Sequence, residues 1–68
     1  MTPKEKAEEL VHRFDIMQTY IKEFTFEDAK QCASIAVDEI KEFMSLMVHS
    51  KQAYDYWDEV KTEIYNLN

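Results

Sequence analysis

The chain has 68 residues, with 8 Lys and Arg against 14 Asp and Glu, for a net charge of −6. That length allows one domain, residues 1–68, whose small core needs a disulfide, a metal, unusually good helix packing or a partner chain. The single cysteine, Cys32, excludes an internal disulfide, and the acidic balance opposes nonspecific binding to DNA or RNA, where affinity comes largely from neutralising phosphates.

There is no glycine and one proline, Pro3, so the turn chemistry of hairpins and sheets is missing. No apolar run of about 18 residues marks a membrane span, and MTPKEKAEEL lacks the apolar stretch of a secretory signal. The expected class is all-α, soluble and intracellular: two or three antiparallel helices at about 3–23, 26–48 and 51–66, a helical hairpin or small bundle completed by oligomerisation.

The first helix is predicted to start at Thr2. Thr2 is the N-cap, Pro3 the first helical residue, and Glu5 the acceptor that reaches back to the cap. Ala7, Leu10, Phe14, Met17, Ile21 and Phe24 then recur at three- and four-residue spacings, with Val11 and Tyr20 widening the stripe. Thr25 is the second predicted cap, with Asp28 at its N3 position. Helix two carries Ala29, Ala33, Ala36, Ile40, Phe43 and Met47 on one line; Ile35 and Leu46 fall off it. Ser50 caps a third helix whose stripe is Ala53, Trp57, Val60, Ile64 and Leu67. A single long helix from Phe26 to Tyr65, kinked near His49, is the competing prediction.

On helix three Tyr54 and Tyr65 fall on one flank of the stripe with Lys61 between them, and Tyr56 falls on the other. The apolar and aromatic arc covers about half the circumference. Helices two and three thus carry more apolar surface than three short helices cover, which predicts a homo-oligomer. Trp57, on the central line, is expected to be mainly structural.

Chemistry is sparsely indicated. Glu9-x-x-His12 has the spacing of a di-iron bundle ligand pair, but it occurs once, and a surface histidine is the expected role. Cys32 lies on a small-residue face and reads as an inert thiol. Asp38 and Glu39 point about 100° apart and read as a solvated face. No glycine exists for a phosphate loop or an oxyanion turn. No catalytic residue, cofactor or metal site is therefore expected. The residues best suited to a flat anionic ligand are Tyr54, Tyr56, Trp57 and Lys61. Lys4 and Lys6, near the free amides of the first helix, could join them across an interface; their ordinary role is a solubilising, ion-paired surface.

Three blocks, MTPKEKAEELVHRF (1–14), DAKQCASIAVDEI (28–40) and YWDEVKTEIYNL (56–67), resemble a family of short uncharacterised proteins of tailed bacteriophages and prophages. The resemblance implies a small accessory protein acting in the host bacterial cytoplasm, where such proteins often counter host defence. A similar-looking class consists of small helical oligomers that sequester nucleotide immune signals. The expected function is therefore non-enzymatic: an oligomeric sponge for a small anionic nucleotide signal. The alternative is an inhibitor that binds a host defence protein through an apolar-aromatic helical face.

Overall fold

Two reciprocal caps begin the first two helices. The Thr2 backbone N–H donates to Glu5 Oε1 at 2.9 Å, and the Glu5 N–H donates to Thr2 Oγ1 at 3.2 Å. The Thr25 N–H donates to Asp28 Oδ2 at 2.9 Å, and the Asp28 N–H to Thr25 Oγ1 at 3.1 Å. Each pair satisfies two amides that a helix start leaves without partners. The computed structural model describes residues 1–47 and 51–67. In it α1 spans Pro3–Asp15, a 3-10 turn follows at Ile16–Thr19, α2 spans Phe26–Met47 and α3 spans Lys51–Asn66. Ser50 as a cap, His49 as a kink and the Met47 side chain as part of a stripe lie outside the described residues.

The first helix is shorter than its hydrophobic period predicts, ending at Asp15 rather than near residue 23. Ile16, Thr19, Tyr20 and Ile21 are β-branched or aromatic and lose rotamer freedom in a helix. The chain tightens instead, with the Tyr20 and Ile21 amides both donating to the Met17 carbonyl at 2.9 and 2.8 Å. Ile21 and Tyr20 are consequently exposed, while Phe24 still packs on the core.

Contacts fix the topology as up-down-up. Lys41 meets Asp58, Lys61 meets Asp38, and Lys30 reaches the carbonyls of Tyr65 and Leu67. Later residues of α2 thus face earlier residues of α3, so the two are antiparallel. A single helix from Phe26 to Tyr65 is ruled out by those pairings. Tyr56 bonds the Met1 carbonyl, and Val11 and Asp15 share a hollow with Leu67, so α1 runs parallel to α3.

The core is Ala7 and Val11 from α1, Ala29, Ala33 and Val37 from α2, and Val60 and Ile64 from α3. Three alanines at the centre let the helix backbones approach closely. Leu10, Phe14, Phe26, Tyr56, Trp57 and Leu67 close the rim. Phe43, predicted to lie on the core line of α2, is 61 % exposed. The reason is length. At 1.5 Å per residue α1 covers about 20 Å, whereas α2 runs about 33 Å, and the molecule is 41 Å along its longest axis. The far end of the α2–α3 hairpin extends past the cover that α1 provides.

Candidate interaction surfaces

Four α2 residues, Ser34, Asp38, Lys41 and Ser45, recur at four- and three-residue spacings and face α3. Tyr54, Asp58, Lys61 and Tyr65 do the same on α3 and face α2. The helices meet along these rows. Lys61 Nζ donates to Asp38 Oδ1 at 2.7 Å, and Lys41 Nζ donates to Asp58 Oδ1 at 2.7 Å. The sequence signal for this seam is a repeated tetrad, DEIK at 38–41 and DEVK at 58–61. In antiparallel helices an Asp-x-x-Lys tetrad is complementary to a second copy of itself, a relationship that the spacing of apolar residues does not reveal. Asp38 is thus half-buried and ion-paired rather than part of a solvated face.

The pairing tunes both partners where a shift is resolved. The hydrogen bond from Lys41 holds Asp58 below its ordinary 3.8, and the same bond raises Lys41 above 10.5. The bond to Asp38 raises Lys61 above 10.5. Each ammonium also sits over a ring: Lys41 Nζ is 5.1 Å from the Tyr54 centroid, and Lys61 Nζ is 6.0 Å from that of Tyr65. At the end of the seam Lys30 donates to the Leu67 carbonyl at 2.8 Å and the Tyr65 carbonyl at 3.3 Å. A cation there satisfies carbonyls that the end of α3 leaves unpaired.

Two shallow hollows open along the seam. One, of about 200 Å³, is lined by Lys30, Gln31, Ser34, Ile35, Asp38 and Tyr65. The other, of about 270 Å³, is lined by Asp38, Lys41, Glu42, Ser45 and Tyr54. Ser34 is 6 % exposed, and its hydroxyl has no hydrogen-bond partner among the described residues.

The six residues expected to hold a ligand are divided among three places. Tyr54 and Lys61 stand on the α2–α3 seam. Tyr56 and Trp57 meet edge to face, with centroids 5.4 Å apart; Tyr56 Oη donates to the Met1 carbonyl at 3.0 Å, and Trp57 is half-buried against the core. Lys6 pairs with Glu9 at 2.6 Å, and Lys4 is exposed on α1. Tyr54 and Tyr65 do share one flank of α3 with Lys61, and Tyr56 stands on the other, next to the start of α1.

Glu9 is held by Lys6 and lies below its ordinary carboxyl value of 4.5 through that hydrogen bond. His12 is exposed beside Glu8, Val11 and Asp15. No group of three or more His, Cys, Asp or Glu among the described residues is placed to hold a metal ion. No helix among them is long and apolar enough to cross a membrane.

The second surface is the outer face of α2. Ile35 is 61 % exposed and Leu46 79 % exposed, with Phe43 beside them. Ile35, Glu39, Glu42 and Leu46 follow one another at four- and three-residue spacings, so they form one row. Large apolar side chains thus stand exposed at both ends of that row, with Glu39 and Glu42 between them, which makes it a candidate interaction surface. Comparison with models of protein families, with curated proteins and with solved structures gives no match.

Proposed function

We propose that this chain is a small non-enzymatic interaction protein that engages another protein through the outer face of α2. The observation that supports it is the grouped exposure of Ile35, Phe43 and Leu46 on one side of a single helix. A helix in a three-helix bundle needs one apolar stripe for its core. α2 has that stripe in Ala29, Ala33 and Val37 and exposes Ile35, Phe43 and Leu46 besides. The resemblance of three sequence blocks to phage and prophage proteins supplies the setting: an accessory protein that blocks a host defence component in the bacterial cytoplasm.

Affinity capture from a bacterial lysate tests this when the chain is compared with an Ile35→Ser/Leu46→Ser variant of equal helicity. A protein retained by the first and lost by the second supports the proposal. Identical captured sets from both contradict it.

Sequestration of a small anionic nucleotide is the second reading. Its supporting observation is the seam, where Tyr54 and Tyr65 offer ring faces beside Lys41 and Lys61. Both ammoniums are already paired with carboxylates, so a phosphate must compete with Asp58 and Asp38 for them. That ranks it below the protein-binding reading. A bound nucleotide raises the melting temperature by mass action, and a thermal-shift screen over cyclic and linear nucleotides separates the two.

A further inference from the structure

We infer that the occupant of the outer face of α2 is a basic amphipathic helix of another protein, three to four turns long; this rests on the protein-binding reading above and names its partner class. The apolar anchors Ile35 and Leu46 lie about 16 Å apart along the axis, which fits a partner of that length. Between them stand Glu39 and Glu42, and neither makes an ion pair among the described residues. The two lysines of α2, Lys30 and Lys41, both turn to the α3 side, where Leu67 and Asp58 hold them. The outer row itself is therefore apolar and acidic; Lys30 and Lys41 border it only through the seam hollows they share with Ile35 and Glu42, and both are already paired there. A helix laid on such a row needs apolar residues at three- and four-residue spacings and lysine or arginine beside them.

Charge also discriminates among the other occupants. A second copy docked through the same row would set Glu39 and Glu42 against like charges, which costs binding energy. An anionic lipid surface is repelled by the same carboxylates. The net charge of −6 acts in the same direction at longer range and speeds encounter with a basic partner.

The probe is a synthetic peptide of about four turns built only of leucine and lysine, with leucine at helical three-four spacing. Its twin carries glutamate in place of every lysine. Titrations are followed by calorimetry on the chain, on Ile35→Ser/Leu46→Ser, on Glu39→Gln/Glu42→Gln and on the remote control Glu8→Gln/Glu23→Gln. Circular dichroism first establishes equal helicity. The expected result is saturable binding of the basic peptide only. That binding is lost in the Ile35→Ser/Leu46→Ser variant and weakened on the order of five-fold in the Glu39→Gln/Glu42→Gln variant, as for two exposed ion pairs. The control binds nearly as the parent does. Equal weakening in the control means undirected charge attraction and overturns the inference. Binding of the acidic twin overturns it as well. Failure of both peptides, with a lysate partner still lost in the Ile35→Ser/Leu46→Ser variant, overturns the basic-helix assignment and leaves the face itself supported. A dimer of the parent that the Ile35→Ser/Leu46→Ser variant dissociates makes the occupant a second copy and overturns the inference too.

Discussion

Asp38 of α2 and Lys61 of α3 lie 2.7 Å apart across the hairpin, and Lys41 and Asp58 repeat that pairing in reverse at the same distance. The two bonds set the register of α3 on α2, because sliding α3 by one turn would separate both pairs. Exposed ion pairs add little stability, so their value here is in selecting one alignment over its neighbours. The apolar contacts beneath, Val37, Val60 and Ile64 packed among alanines, hold the same alignment and carry the larger share of its stability.

Charge exchange tests that register. Asp38→Lys should lower the melting temperature by setting two ammoniums together, and Asp38→Lys/Lys61→Asp should recover most of the loss. The recovery should shrink in high salt, where exposed charges are screened. A double variant no better than the sum of its singles would mean that this pair sets no register.

The alanine centre should resist enlargement. Ala33 is fully buried, so Ala33→Leu is expected to cost about 1–3 kcal/mol through overpacking. Ile64→Ala, which opens a cavity, should cost about 2–5 kcal/mol. Either is a large share of the stability of so short a chain. Urea unfolding followed by circular dichroism checks both; an Ala33→Leu chain as stable as the parent would show that the helices are not closely approached there.

Ser34 gives the opposite expectation. Its buried hydroxyl lacks a partner among the described residues, and replacing an unsatisfied polar group removes a desolvation cost. Alanine also has the better helix propensity. Ser34→Ala should therefore raise stability by about 1 kcal/mol. A clear loss in urea unfolding would mean that the hydroxyl has a partner in solution.

Tyr54 and Trp57 should separate. Trp57 packs against the core, whereas Tyr54 is exposed beside Lys41. Trp57→Ala should lower the melting temperature markedly, with a loss of stability somewhat below the about 3–5 kcal/mol of a fully buried aromatic. Tyr54→Ala should leave helicity and melting nearly unchanged. Equal damage from the two would make the aromatic segment core throughout.

The pH dependence has two limbs. Glu9 and Asp58 are held below 4.5 and 3.8 by their bonds from Lys6 and Lys41. A depressed carboxyl contributes stability that is present above its unfolded value and lost as pH falls through the folded one. Lys41 and Lys61 are raised above 10.5 by Asp58 and Asp38. Their contribution is present below the unfolded value and lost as pH rises through the raised one. The melting temperature should fall below roughly pH 4 and again above roughly pH 10.5, modestly in both cases because each pair lies at the surface and keeps at least one partner in contact with solvent. A midpoint that climbs on acidification to about pH 3 would contradict these pairings.

Helix starts were legible in the sequence because they rest on local chemistry: Thr2 with Glu5, and Thr25 with Asp28, each bond within four residues. The division of aromatics on α3 was legible for the same reason, since 100° per residue places Tyr54, Lys61 and Tyr65 together. The end of α1 was not. Its apolar period runs on through Ile21 and Phe24 while the backbone turns, and no glycine or proline marks the change. Phe43 has the spacing of the core line yet stands exposed, because the length of α1 decides how much of that line is covered. The seam was hidden because an ion pair between helices is a matter of register, visible only once DEIK and DEVK are read as one repeated word.

Binding at the outer face of α2 is tested most directly by a nitrogen-edited NMR titration of the labelled chain with the leucine–lysine peptide. Amide shifts are expected to concentrate on α2 from Ile35 to Leu46, with Glu39 and Glu42 among the largest and Tyr56 and Trp57, on the other flank of α3, little changed. Shifts confined to α3, or to the start of α1 around Lys4 and Lys6, would contradict it.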